Sequence, residues 1–178
     1  MRDLIRAAWI TAILGTIPIW NIGHAIASTG KVPSFSLAIK AEADSVKAVS
    51  PVTIDVKLKN VSDHDTSLGM FYAGPNIELS GKIQIAQGDT KVLETAWGRR
   101  IMGHATKDDL DSDPSSAIVT GKDVNIALKP GGIYAYSLAI SRIYDLSQPG
   151  KYTVQLQRLD DENETLVVSN KITVTVTP

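Results

Sequence analysis

The residues best equipped for chemistry gather between positions 97 and 113. Trp97, Arg99, Arg100 and His104 place an indole, two guanidinium forks and an imidazole in one short stretch. That is the chemistry of interface hot spots, where a flat aromatic surface and forked donors meet a partner's carboxylates and carbonyls. The stretch then turns acidic at Asp108, Asp109, Asp111 and Asp113. Oxygens at alternate positions resemble the start of a calcium loop, which makes Asp109, Asp111 and Asp113 the candidate metal ligands and calcium the one cofactor the chain suggests. The pattern departs from such a loop further on. Pro114 stands where the sharp turn wants Gly, and Thr120 stands where a bidentate Glu belongs. A solvated turn is the competing reading of these aspartates. Likewise, the recognition reading competes with one in which Trp97 and Ile101 tuck into a core while Arg99 and Arg100 pair with the acids from Asp108 to Asp113. A second acidic trio, Asp63-His64-Asp65, reads as a turn.

The chain shows no H-E-x-x-H, no G-x-S-x-G, no Walker-type phosphate loop and no G-x-G-x-x-G. Absence of cysteine removes thiolate catalysis, disulfide frameworks and Cys-rich zinc sites. Beyond the first 27 residues the histidines are His64 and His104, neither in a recognisable catalytic context. A non-enzyme is therefore expected. The 18 basic and 19 acidic residues leave a formal charge of −1, so no broad attraction to nucleic acid is expected either.

Arg2 and Arg6 precede the apolar run from Ala7 to Trp20, and Ala25-Ile26-Ala27 supplies the small residues of a cleavage site. This predicts a signal peptide over 1–27, export to a periplasm or the extracellular medium, and no membrane contact once the leader is removed. Residues 28–178 suit one domain, with no further domain expected beyond Thr177.

What must hold the 97–113 residues is legible from a period of two in the apolar positions. Phe35, Leu37, Ile39 and Ala41 alternate with smaller or polar residues, as do Val52, Ile54, Val56 and Leu58. The same pattern covers Ile77 to Ile85 across Gly81, a bulge or bend, then Leu93, Thr95 and Trp97 on a shorter strand. It returns at Val124 to Leu128, Tyr134 to Ile140, Tyr152 to Leu156 and Ile172 to Val176. Turn formers separate these runs, among them Gly74-Pro75-Asn76, Pro130-Gly131-Gly132 and Gln148-Pro149-Gly150. The reading is an all-β, antiparallel Greek-key sandwich of about seven to nine strands. The segment 98–121 lacks alternation and is expected as one long loop.

Pro149 and Gly150 set a turn directly before Tyr152, the position where sandwiches place a tyrosine whose hydroxyl bonds back to upstream backbone, here near Tyr144 to Leu146. All three residues read as structural. From Leu128-Lys129-Pro130-Gly131 to Ile172-Thr173-Val174-Thr175-Val176 the chain resembles the C-terminal half of bacterial secreted immunoglobulin-like or fibronectin-like modules. It is also similar to the non-catalytic sandwich domain beside some secreted metallopeptidases and, more distantly, to BsuPI-type proteinase inhibitors. The resemblance implies an exported, monomeric binding module. Its partner is expected to be a protein, held through the 98–121 loop or a sheet edge. The alternatives are a BsuPI-like proteinase inhibitor acting through loops such as 74–76 and 130–132, and a carbohydrate-binding module. Asn60-Val61-Ser62 and Asn163-Glu164-Thr165 match the glycosylation sequon without further meaning in a bacterial chain.

Overall fold

Alternating burial organises the chain from Phe35 onward. In the computed structural model, which describes residues 31–74, 77–112 and 121–178, strand β1 (Phe35–Ala41) buries Phe35, Leu37, Ile39 and Ala41 and exposes the residues between them. Strand β3 (Thr53–Asn60) repeats the pattern with Ile54, Val56 and Leu58, all wholly buried. β1 and β3 pair antiparallel with Ile39 opposite Val56, and β3 pairs antiparallel with β9 (Ile133–Ala139), Val56 facing Tyr136. These three strands form the first sheet, in the order β1-β3-β9.

The second sheet is built on β10 (Gly150–Asp160), flanked by β6 (Lys82–Gln87) and β12 (Ile172–Thr177). Its inner row runs Ile83–Leu156 and Ile85–Val154, continuing to Val174 opposite Tyr152. Short strands extend it: β2 (Ser45–Lys47) lies parallel to β12, β7 (Thr90–Lys91) pairs with β6, and β11 (Thr165–Val168) pairs with the second half of β10. The two inner rows face each other and form one aliphatic core. With the insertion below and the short strands set aside, the first, second and fourth long strands lie on one sheet and the third, fifth and sixth on the other, an antiparallel, immunoglobulin-like sandwich.

A third, smaller sheet is inserted between these strands. It contains β4 (Thr66–Gly74), flanked by β5 (Ile77–Glu78) and β8 (Lys122–Leu128). Leu68, Met70 and Ile77 bury its inner side. Two differences from the periodicity reading follow. The run from Ile77 to Ile85 is two strands on two sheets, and it crosses between them at Gly81, where a Cβ would lie 3.0 Å from Leu156 Cδ1. β4 itself carries the alternation Thr66, Leu68, Met70, but Gly69 and Gly74 dilute its strand signal.

Where the three sheets meet, the core is polar. Glu78, about 2% exposed, receives the Tyr136 hydroxyl at 2.8 Å and the Ser80 N–H at 2.7 Å, with Arg158 Nη1 3.6 Å away. Arg158 also donates to the Gly69 carbonyl, and the Tyr72 and Tyr134 hydroxyls share a hydrogen bond of 2.8 Å beside this pair. Burial pushes the Tyr136 and Tyr72 hydroxyls well above the ordinary phenol range, and the nearby Glu78 charge adds to it. Arg158 Nη1 makes no hydrogen bond among the described residues, so the joint rests on the charge pair and on the other bonds of Glu78 and Arg158, and removing either partner strands a charge in low dielectric.

Candidate functional site

The segment expected as one loop is instead ordered over its described part by two short helices. Helix α1 (Ala96–Ile101) starts at Thr95, whose Oγ1 accepts from the Gly98 N–H at 2.8 Å and donates to the Arg142 carbonyl at 2.7 Å. Leu93 to Trp97 is therefore not a continued strand: Thr95 is an N-cap. Gly98 is required here, since a Cβ would fall 2.1 Å from the carbonyl oxygen of Ile143, in helix α3 (Ile140–Ile143). Helix α2 (Lys107–Ser112) follows, with Thr106 and Asp109 exchanging cap bonds: the Thr106 N–H donates to Asp109 Oδ2 at 2.9 Å, and Asp109 N–H to Thr106 Oγ1 at 3.3 Å.

Asp109 joins the helices. Arg99 Nε donates to its Oδ2 at 2.8 Å, Arg99 Nη2 donates to its Oδ1, and Arg99 Nη1 reaches the Glu94 carbonyl at 2.6 Å. Arg100 is buried and donates to the Asp109 carbonyl. The Arg99 guanidinium holds the Asp109 carboxyl far below the usual carboxylate range, and Asp109 in turn raises Arg99. Trp97 and Ile101 pack against the core, and the Arg142 guanidinium sits 4.5 Å from the Trp97 ring centre. Of the four residues proposed for recognition, three are thus engaged within the chain: Trp97 against the core, Arg99 with the Asp109 carboxylate and Arg100 with the Asp109 carbonyl. His104 is exposed, with Nδ1 3.3 Å from Glu94 Oε2. As for the calcium candidates, Asp109 and Asp111 sit two residues apart on α2 and point to opposite sides of it, while Asp113 lies outside the described residues. Among the described residues no group of three acidic or histidine side chains is placed to hold a metal ion. Residues 1–27, expected as a leader, also lie outside the described residues.

Tyr152 is buried as expected, and its hydroxyl donates back to the Gln148 carbonyl at 2.6 Å. The acceptor lies inside the Gln148-Pro149-Gly150 turn itself, not at Tyr144 to Leu146. Tyr144 serves a separate purpose: its own hydroxyl donates to the Ile83 carbonyl at 3.2 Å, and burial pushes that hydroxyl up to about 12.

The site that composition does not reveal is the outer face of the second sheet. Register places Lys151 beside Thr175, Thr153 between Ala86 and Thr173, Gln155 beside Gln84, and Gln157 beside Lys82. Lys91 lies opposite Ala86, Lys47 opposite Thr177, and Lys171 precedes β12 in the outward phase of Thr173. Lys47, Lys82, Lys91, Lys151 and Lys171 are all exposed, and among the described residues no Asp or Glu occupies an outward strand position of this sheet. Along one flank a groove of about 690 Å3 separates the face from the α1 segment, lined by Lys82, Gln84, Lys91, Gln155 and Lys171 on one side and by Glu94, Met102 and His104 on the other. Asp89 and Glu94 add two carboxylates to its lining. Rigid strands hold the ammonium groups, and like charges on one face create a field that single-sign partners feel over about 8 Å at physiological salt. The only sequence signal for this was the phase of the lysines along each strand, which has meaning once the strand faces are assigned.

No protein-family model matches the chain, and no curated protein matches it. Solved structures with similar architecture include the CARDB domain of a Pyrococcus furiosus protein, solved in complex with two metal ions, at 17% identity over 82% of this chain and 89% of that one, with a TM-score of 0.39. The bacterial hydrophobin BslA is similar at 14% identity over 84% of this chain and 99% of that one, TM-score 0.36. A Bacteroides uniformis β-glucuronidase matches at 15% identity over 79% of this chain and 13% of that one, TM-score 0.36.

Proposed function

We propose that the chain is an exported, non-catalytic binding module that docks an anionic macromolecular surface on the outer face of its second sheet. The observation that carries this is the segregation of charge: five lysines and no carboxylate at the outward positions, in a chain whose formal charge is −1. Complementary potential of this kind steers encounter and selects partners by sign. The Arg99 and Arg100 segment braces the groove from behind instead of contacting the partner.

The proteinase-inhibitor alternative would use the end loops. Residues 75 and 76 lie outside the described ones, and the 130–132 turn is tied to Asn60, with Gly131 N–H donating to the Asn60 carbonyl at 3.1 Å and Asn60 N–H to that of Gly132 at 2.9 Å. The carbohydrate-module alternative wants aromatic rings on the binding face, and the described outward positions of the second sheet carry none.

Immobilised polyglutamate tests the reading. The wild type is expected to bind at low salt and elute as salt rises, and the variant Lys82→Gln, Lys91→Gln, Lys151→Gln, Lys171→Gln to flow through. A control, Lys40→Gln, Lys57→Gln, Lys59→Gln on the opposite sheet, should bind like the wild type. Equal retention of all three proteins would refute the face.

A further inference from the structure

Resting on the basic-face reading above, we infer that the anionic surface is a lipid bilayer with acidic headgroups. The lysines alone would suit any polyanion. What separates a bilayer from the others is the apolar end of the same face. Leu159 and Leu166 stand opposite each other on β10 and β11, 52% and 56% exposed, and Val168, beside Gln157, is 44% exposed. All three share the outward phase of Lys82, Gln84, Thr153 and Lys151, as their register positions show. Along β10 the outward residues run Lys151, Thr153, Gln155, Gln157, Leu159, from basic through neutral to apolar over about 26 Å at 3.3 Å per residue.

A soluble polyanion has no use for exposed leucines. A membrane interface uses both features: ammonium groups settle among headgroup phosphates while aliphatic side chains enter the boundary of the acyl region. Lysine stems suit this, since they lie along apolar surface while the charge reaches outward. The area is broad and built on strands, matching a flat partner. The face also lacks the outward aromatic side chains on which bases would stack, which disfavours single-stranded nucleic acid. This inference departs from the expectation, drawn from the cleavable leader, of no membrane contact once the leader is removed.

The test is flotation with vesicles of phosphatidylcholine alone or with 30% phosphatidylglycerol. Residues 28–178 are used, because every strand and buried core residue described lies between Ser34 and Thr177. The wild type should float with the anionic vesicles only. Lys82→Gln with Lys171→Gln should weaken binding about 25-fold, taking about fivefold per lysine. Leu159→Ser with Leu166→Ser should weaken vesicle binding by about tenfold or more and leave polyglutamate binding and the thermal midpoint unchanged. Equal binding to neutral vesicles, or full vesicle binding by the leucine variant, would overturn the inference. Retention on polyglutamate without any vesicle binding overturns the lipid assignment and leaves the basic face standing. Loss of both overturns both.

Discussion

Arg99 and Asp109 meet fork to fork, Nε to Oδ2 at 2.8 Å and Nη2 to Oδ1, so that the side chain most suited to recognising a partner recognises its own chain. The pair locks α1 to α2, and Asp109 completes the α2 cap through Thr106 in the same arrangement. Asp109→Asn should therefore loosen residues 95–112 and lower the thermal midpoint while leaving polyglutamate binding by the lysine face intact. Hydrogen exchange of peptides from that segment, set beside a binding isotherm, checks both halves. Loss of binding without faster exchange would place recognition back in this segment.

Val56 and Val154 are wholly buried on opposing sheets. Val56→Asp or Val154→Asp would put an unpaired carboxylate into the aliphatic core, a cost of several kcal/mol against a total stability of about 5–15 kcal/mol. Neither variant should fold, and a cooperative thermal melt from either would contradict the core described here.

Arg158 and Glu78 form the buried polar joint of the three sheets. Arg158→Met leaves Glu78 uncompensated and should cost about 3–5 kcal/mol, whereas Arg158→Met with Glu78→Gln should recover much of it. Chemical denaturation of the two variants measures the difference, and equal losses would mean that the pair acts by packing alone.

Tyr152→Phe removes one hydrogen bond, from its hydroxyl to the Gln148 carbonyl, and keeps the buried ring. The expected loss is about 1 kcal/mol. An unchanged midpoint on denaturation would remove the hydroxyl from the account of this corner.

His64 lies between Asp63, 2.9 Å from Nδ1, and Glu162, which faces Nε2 from the β10–β11 turn. Its hydrogen bonds to Asp63 and Glu162 raise it above the ordinary 6.5, and the same contact lowers Asp63. A raised folded-state value means the protonated form stabilises the fold. That contribution is complete below about pH 6.5, the unfolded value, and disappears as pH rises through the folded one. The midpoint difference between wild type and His64→Gln should accordingly be largest at pH 5.5 and shrink by pH 9. A difference independent of pH would show that the imidazole acts without its charge.

The strands were legible where polar and apolar residues alternate cleanly, as in Phe35 to Ala41 and Thr53 to Leu58, because a half-buried strand leaves that pattern directly. β4 escaped because its outward positions include glycine, and β11 because it presents Leu166 and Val168 outward, reversing the usual sign. α1 was hidden by an apparent alternation of Leu93, Thr95 and Trp97, in which Thr95 is a cap. Asn60 shows the same limit for motifs. Its sequon has no accessible acceptor, since the amide is wholly buried and donates to the Leu128 and His64 carbonyls, each at 2.8 Å. The lysine face needed register as well as phase: Lys82, Lys151 and Lys171 are distant in sequence and come onto one face only through β10's two partners.

Lysine footprinting addresses the central claim most directly. Acetylation rates of individual lysines would be measured by mass spectrometry with residues 28–178 free and saturated with polyglutamate. The account predicts protection of Lys82, Lys91, Lys151 and Lys171, with Lys40, Lys57 and Lys59 on the other sheet reacting at their free rates. Uniform protection of both sets, or protection confined to the second set, would contradict it.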